Sequence, residues 1–94
     1  MQELHFGHVV QSVKGRDRLR VFIVIGIREK GSGYEAIVAN GMLRLLESAK
    51  VKNPRHLKII AELTDFEKEE LITAPTNEKI KNFCNKYDKI PKKI

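Results

Sequence analysis

The sequence has a single cysteine and no long apolar run, and each of these features excludes a class of protein. One cysteine, Cys84, rules out an internal disulfide framework, so we expect a reducing, cytoplasmic setting. No apolar stretch approaches the roughly 20 residues that a membrane-spanning helix needs, so no membrane partner is expected. Glu3 and His5 precede any apolar run, which is not the pattern of a secretory signal.

Groupings of catalytic or metal-ligating residues are also missing from the sequence. The three histidines, His5, His8 and His56, show no paired ligand spacing and the cysteine is distant, so we expect no metal and no cofactor. Cys84 has no acid–base partner close in sequence and is expected to fill a helix–core contact. The Gly-Ser-Gly run at 31–33 lacks the spacing of a phosphate-binding P-loop. The sequence therefore predicts a protein that is not an enzyme.

The positive charge of the chain is concentrated in its first two thirds. Residues 1–60 contain 11 basic and 5 acidic side chains, whereas residues 61–94 contain 7 of each. The whole net charge of +6 therefore belongs to the first part. This distribution favours a polyanionic partner, and nucleic acid rather than membrane, because no basic amphipathic helix with an aromatic face accompanies it. A few extra basic side chains that serve solubility are the alternative.

Residues 1–61 are predicted to form a small barrel of five short strands joined by tight turns. The strands are expected at 7–13, 19–28, 34–39, 42–47 and 56–60. In the second strand one face carries the apolar Phe22 and Val24, and the opposite face carries the apolar Ile23. Both faces therefore need other elements packed against them. Gly26 predicts a bulge, and Asn40-Gly41 predicts a type I′ hairpin turn. Such a set of strands is typical of an SH3-like barrel.

Residues 62–94 are predicted to form two short helices that pack on the barrel as one compact unit. Thr64 and Glu67 have the spacing of a capping box, and the first helix must end before Pro75. The acidic side chains of this helix are expected to form a solvated face, with binding of a partner as the alternative; they are Glu67, Glu69 and Glu70. The second helix, from Thr76 or Asn77 to about 87, carries an apolar stripe that should face the barrel. The stripe comprises Ile80, Phe83, Cys84 and Tyr87. Residues 91–94 are expected to fray.

The most informative stretch is the basic turn between the first two predicted strands. It contains one glycine, which allows close approach of a partner, surrounded by cations: Lys14, Gly15, Arg16, Arg18 and Arg20. Rigid strands that hold a cation-rich loop suit contact with a phosphate backbone. A second basic group lies in and after the predicted fourth strand: Arg44, Lys50, Lys52, Arg55 and His56. In a closed barrel the two groups would form one positive stripe; a solvated turn and a solvated link are the alternatives.

The strand–loop–strand stretch at 7–25, with its single loop glycine, resembles the KOW motif of ribosomal and transcription-factor proteins. Segments 38–44, 50–57 and 76–81 resemble a small bacterial KOW-domain RNA-binding family, itself similar to KOW-bearing large-subunit ribosomal proteins of archaea and eukaryotes. The resemblance implies an SH3-like barrel and a ribosome- or translation-associated role. KOW sequences commonly carry a second glycine where Leu19 stands here. Leucine tolerates positive φ poorly, so the loop tip is expected to differ.

The sequence thus predicts a monomeric RNA-binding module that grips structured, ribosomal RNA by phosphate contacts. Only Phe6 and Tyr34 are aromatic candidates outside the expected core, and neither belongs to a base-stacking pattern, so recognition of the RNA backbone is favoured. Contacts with ribosomal or other proteins remain open. The alternative is a protein–protein adaptor in which the barrel binds an acidic partner.

Overall fold

The computed structural model describes residues 3–42 and 44–88. Its strands are β1 (His8–Ser12), β2 (Val21–Lys30), β3 (Gly33–Ala39), β4 (Lys50–Lys52) and β5 (Leu57–Glu62). Short 3-10 turns at Leu46–Ser48 and Pro54–His56 flank β4, and helices α1 (Asp65–Thr73) and α2 (Asn77–Asp88) follow β5. The strands pair antiparallel in the order β4-β3-β2-β1-β5. The predicted fold class, a small SH3-like barrel followed by two helices, is confirmed. No helix in the described ranges is long and apolar enough to cross a membrane.

Strand β2 is covered on both faces, as its sequence predicts. Ile23 packs in a cluster that contains Ile80 of α2, and Phe22 packs on the other side of the sheet with Val38. All four side chains are completely buried, and burying a large apolar side chain stabilises a fold by roughly 1.5–3 kcal/mol. The expected bulge is present, because the β2–β3 register shifts between Val24 and Gly26. The sheet thus has two cores, one inside the barrel and one beneath the helices.

The apolar stripe of α2 packs on the sheet, as its spacing predicts. Ile80, Cys84 and Tyr87 are buried in the core beneath the helices, and Phe83 packs against it. Burial, together with the charge of Asp88, raises the pKa of the Cys84 thiol to about 12. The thiol is therefore protonated at neutral pH and serves packing, which agrees with the role expected for it.

Glu67 departs from the expected solvated face and joins the two helices. The predicted capping box is present: Thr64 Oγ1 accepts from the Glu67 amide at 3.1 Å, and Glu67 Oε1 accepts from the Thr64 amide at 2.9 Å. The same carboxylate also accepts from Tyr87 Oη at 2.6 Å and from Lys86 Nζ at 2.7 Å. Glu67 is buried, whereas Glu69 is exposed. The expectation was wrong for Glu67 because its partners lie about twenty residues away on α2.

Lowering the pH is expected to weaken the fold through Glu67. Burial alone would raise the pKa of Glu67, but hydrogen bonds from Lys86, Tyr87 and Thr64 outweigh it and lower the pKa to about 2. The ionised carboxylate therefore contributes stability above its ordinary pKa of 4.5 that is lost as the pH falls through about 2. Thermal unfolding of wild type and Glu67→Gln across this range measures the effect. The difference in Tm between the two proteins should be largest at neutral pH and should disappear in acid. A difference that does not change with pH would contradict this role of Glu67.

The predicted fourth strand at 42–47 is wrong, as is the type I′ turn before it. Asn40 does not have the positive φ that such a turn requires; only Gly41 does, at 77°. The buried Asn40 side chain accepts from the Met42 and Arg44 amides at 3.0 and 2.9 Å and so shapes a wider loop. The strand that pairs with β3 comes later, at Lys50–Lys52, between the predicted fourth and fifth strands. Position 43 and the expected tail at 91–94 lie outside the described residues.

Candidate nucleic-acid interface

The loop between β1 and β2 is fixed by hydrogen bonds at both of its ends. Ser12 makes two backbone hydrogen bonds with the residues that lead into β2. Its amide donates to the Arg20 carbonyl at 2.9 Å, and its carbonyl accepts from the Leu19 amide at 2.7 Å. The Gln11 side chain donates to the Leu19 carbonyl at 3.1 Å. Within the loop, the Arg18 amide donates to the Gly15 carbonyl at 3.2 Å. The loop therefore has a defined backbone from which its cations project.

Leu19 has a backbone conformation that leucine rarely adopts. Its φ is 73°, so leucine takes the left-handed backbone region here although it tolerates positive φ poorly. Such a conformation costs a non-glycine residue of the order of 1–2 kcal/mol. The hydrogen bonds to both its amide and its carbonyl hold it there, while the side chain is 65 % exposed. The loop thus keeps a left-handed residue where KOW sequences commonly have glycine.

Asp17 connects the loop to β4. Its carboxylate accepts from Lys50 Nζ at 3.0 Å and lies 3.4 Å from Lys52 Nζ and 4.0 Å from Arg20 Nε. Burial would raise the pKa of Asp17, yet the hydrogen bond and charge of Lys50 and the charge of Lys52 hold it below its ordinary value. Asp17 therefore holds the turn through a lysine that lies 33 residues away in the sequence. We call this group of Asp17, Lys50 and Lys52 the clasp.

Lys52 is an internal member of the clasp. Its side chain is only 9 % exposed, its Nζ donates to Ser12 Oγ at 3.2 Å, and it lies 5.6 Å from the centre of the Phe22 ring. Ser12 Oγ in turn donates to the Lys14 carbonyl at 3.0 Å. Since Lys52 already has these partners, its role in the structure is to join β4 to the loop. Its positive charge still adds to the potential of the surface above it.

Members of the two basic groups line one open cavity of about 470 Å³, which we call the basic groove. The loop contributes Lys14, Gly15 and Arg16 to it, and the chain around β4 contributes Lys50, Val51, Lys52, Asn53 and His56. A backbone bond from the Val13 amide to the His56 carbonyl, 2.9 Å long, joins the two sides. Asn53 shapes the second side, because its side chain accepts from the Arg55 amide at 2.9 Å and starts the 3-10 turn.

Gly15 has a φ of 80°, and a Cβ added to it would meet no atom within 4 Å. The glycine is therefore required by the backbone conformation and not by crowding within the described protein. The open space beside it leaves the backbone accessible to a partner from the groove side.

Four predicted contact residues lie outside the lining of the basic groove as far as the described residues show: Arg18, Arg20, Arg44 and Arg55. The first two are exposed on the same loop, and Arg55 is exposed in the turn after β4. Arg44 belongs instead to the loop at 40–44, where Gly41 touches the start of α2. Sequence reasoning did not find Asn53 or Ser12, because neutral polar residues give no signal until the fold brings them beside the cations.

A separate polar cluster lies at the other end of β1. His5, His8 and Glu62 each offer one ligand atom, and these atoms all lie within 4.8 Å of one another. The spacing of the histidines in sequence gave no indication of this cluster, because its third member comes from β5, which pairs with β1.

The sequence matches no protein-family model and no curated protein with which it was compared. The likeness to KOW proteins therefore stays a prediction.

Proposed function

We propose that the protein is a non-enzymatic, cytoplasmic RNA-binding module that grips structured RNA in the basic groove. The observation that carries the proposal is the meeting of two basic segments, more than thirty residues apart, in one concave surface. Four cationic side chains lie there against the single carboxylate of Asp17. A concave surface with excess positive charge attracts and orients a polyanion.

The proposed contacts divide the groove residues by availability. Lys14 and Arg16 are exposed and project from a fixed loop, so they are free to meet phosphates. Lys50 is 36 % exposed and shares its ammonium between Asp17 and the groove. His56 is half-buried in the wall that the chain around β4 forms. Because the clasp fixes both walls before binding, less ordering entropy opposes association than for a flexible basic tail.

Recognition of the RNA backbone, rather than of unpaired bases, fits the positions of the aromatic side chains. Phe6 packs against the core beneath the helices, and Tyr34 packs against the barrel interior with its hydroxyl accepting from the Leu4 amide at 2.9 Å. Both rings are therefore partly taken up by packing within the protein. Phe66 on α1 is 74 % exposed and provides a test of the opposite view.

The test is the affinity for fragments of structured ribosomal RNA measured across a salt series. For wild type, log K should fall steeply with log salt, and the Lys14→Ala/Arg16→Ala double variant should reduce the slope by about two, one per phosphate contact. Lys81→Ala, which removes an exposed lysine from α2, is the control for a positive charge lost outside the groove and should retain the wild-type slope. Phe66→Ala should bind like wild type. Co-sedimentation with ribosomes would then test the proposed translation-associated role.

A flat salt response, or a double variant that binds like wild type, would contradict the proposal. Binding to acidic peptides without RNA binding would favour the adaptor function instead, because the same groove could accept a row of carboxylates. If Phe66→Ala is the only variant that binds RNA weakly, the RNA site would instead lie on α1 and would use base stacking.

A further inference from the structure

Two histidines and a glutamate are brought together where the chain enters the sheet. His8 and Glu62 are directly paired residues of β1 and β5. His5 precedes them in a turn closed by a bond of 3.1 Å from the His8 amide to the His5 carbonyl. The three positions are therefore set by sheet pairing and by a short turn, independently of the basic groove.

The ligand atoms of this cluster are close to the separations that a tetrahedral metal requires. His5 Nε2 lies 3.8 Å from Glu62 Oε2, and His8 Nε2 lies 3.9 Å from Glu62 Oε1. Bonds of about 2.1 Å at tetrahedral angles place ligands about 3.4 Å apart, so the three ligand atoms, which lie within 4.8 Å of one another, must draw together by up to about 1.4 Å. A cavity of about 340 Å³ lies at the cluster, and Glu3 and Ile59 also line it.

The orientation of His5 suits metal binding. Its Nδ1 lies 3.0 Å from the Phe6 carbonyl oxygen, which can only accept, so Nδ1 carries the proton and Nε2 has a free lone pair. A second hydrogen bond of this kind is the usual way in which proteins orient a ligating histidine. His8 Nδ1 accepts from the His5 amide at 3.1 Å, which leaves the proton on Nε2. Ligation by His8 Nε2 therefore requires that proton to move to Nδ1. The His5 amide then loses its acceptor and hydrogen-bonds to water instead, which the exposed position of His5 allows.

We propose that His5, His8 and Glu62 form a binding site for a divalent transition-metal ion of the Zn²⁺ class. Two imidazoles and one carboxylate suit Zn²⁺, Co²⁺ or Ni²⁺ better than Mg²⁺ or Ca²⁺, which prefer oxygen ligands. Three protein ligands leave a fourth position, which water or the Glu3 carboxylate can fill. The ion would tie the turn that precedes β1 to β5 and so stabilise the fold where the sheet begins.

The ion pair between Lys68 and Glu62 provides a test of the proposed metal site. The Lys68 ammonium binds Glu62 Oε2, so in the metal-free protein a cation already neutralises the glutamate ligand. A metal must displace this ammonium or share the carboxylate with it. Lys68→Met removes the competitor and keeps the aliphatic stem that covers Gly7, so this variant should bind Zn²⁺ several-fold more tightly than wild type.

The experiment titrates the full, tag-free chain with Zn²⁺ in competition with a chromophoric chelator. Wild type should bind about one ion per chain, without displacement by excess Mg²⁺, and its Tm should rise with Zn²⁺. His5→Ala and Glu62→Gln should each weaken binding about tenfold or more. Both side chains are about half exposed, so these variants should fold like wild type, as circular dichroism can check. His56→Ala removes the histidine outside the cluster and should leave the affinity unchanged.

Equal Zn²⁺ affinity in wild type, His5→Ala and Glu62→Gln would overturn the proposal, as would a Lys68→Met variant that binds no more tightly. Non-saturating binding that Mg²⁺ displaces would also overturn it. Because no RNA is present in the titration, its outcome is independent of whether the basic groove binds RNA.

Discussion

Replacing Gly41 with alanine is expected to destabilise the fold by about 3 kcal/mol or more. A Cβ at this position would lie 2.3 Å from the Asn77 carbonyl oxygen and 2.7 Å from the Lys81 amide nitrogen. Both are backbone atoms of α2, so relief requires the helix to move away from the loop. The φ of 77° adds the strain of a left-handed alanine. The sequence suggested that this glycine serves a hairpin turn, but its main role is to let α2 approach.

Gly15→Ala is the matched control for this prediction. Gly15 has nearly the same φ, 80°, but open space where the Cβ would lie, so its replacement should cost only the backbone strain of about 1 kcal/mol. Urea unfolding of the two variants separates strain from collision. Equal losses of unfolding free energy would show that the contact with α2 does not constrain position 41.

Replacing Asp17 with asparagine is expected to lower the free energy of unfolding by about 2 kcal/mol. Breaking a buried ion pair typically costs 3–5 kcal/mol and a surface pair at most about 1 kcal/mol. The clasp lies between these cases, because Lys52 is almost fully enclosed whereas Lys50 is 36 % exposed. Without the carboxylate, the Lys52 ammonium keeps Ser12 as a partner but loses its counter-charge.

Glu35→Gln is the control for Asp17→Asn. Glu35 also binds two cations, Arg28 and Lys30, but both of these side chains are well exposed, so little stability should be lost. If the proposed function is correct, Asp17→Asn should also weaken RNA binding, although it makes the groove more positive. Tighter binding would mean that charge outweighs the fixed position of the loop. Denaturant unfolding and the RNA salt series together measure both effects.

Features that depend on local spacing could be predicted from the sequence. Alternation in β2 indicated two covered faces, with Phe22 and Ile23 on opposite sides. The distance between Thr64 and Glu67 indicated a capping box, and the stripe of α2 indicated the face that packs. Each of these signals requires only residues within two turns of helix or one strand. The cation-rich loop around Gly15 could be located for the same reason.

Features that depend on the tertiary fold could not be predicted. Strand β4 has only three residues, two of them lysines, and exists because it pairs with β3 opposite Ala36 to Val38. The left-handed Leu19 is maintained by a hydrogen bond from its amide to the Ser12 carbonyl and by one from the Gln11 side chain to its own carbonyl, which no propensity describes. The internal position of Lys52 follows from its contact with Ser12, forty residues earlier. An exposed and an enclosed lysine look alike in the sequence, so the contact residues of the groove could be proposed only as a group.

The place of β1 in the sheet sets the order in which these surfaces can arise during synthesis. β1 lies between β2 and β5, so this strand gains its second neighbour only when residues 57–62 have emerged from the ribosome. The cations at 14–20 are made early, but the wall formed by residues 50–56 and the clasp come more than thirty residues later. A nascent chain therefore carries the basic loop without the second wall of the groove until β4 and β5 have docked. Assembly of the groove then coincides with closure of the sheet.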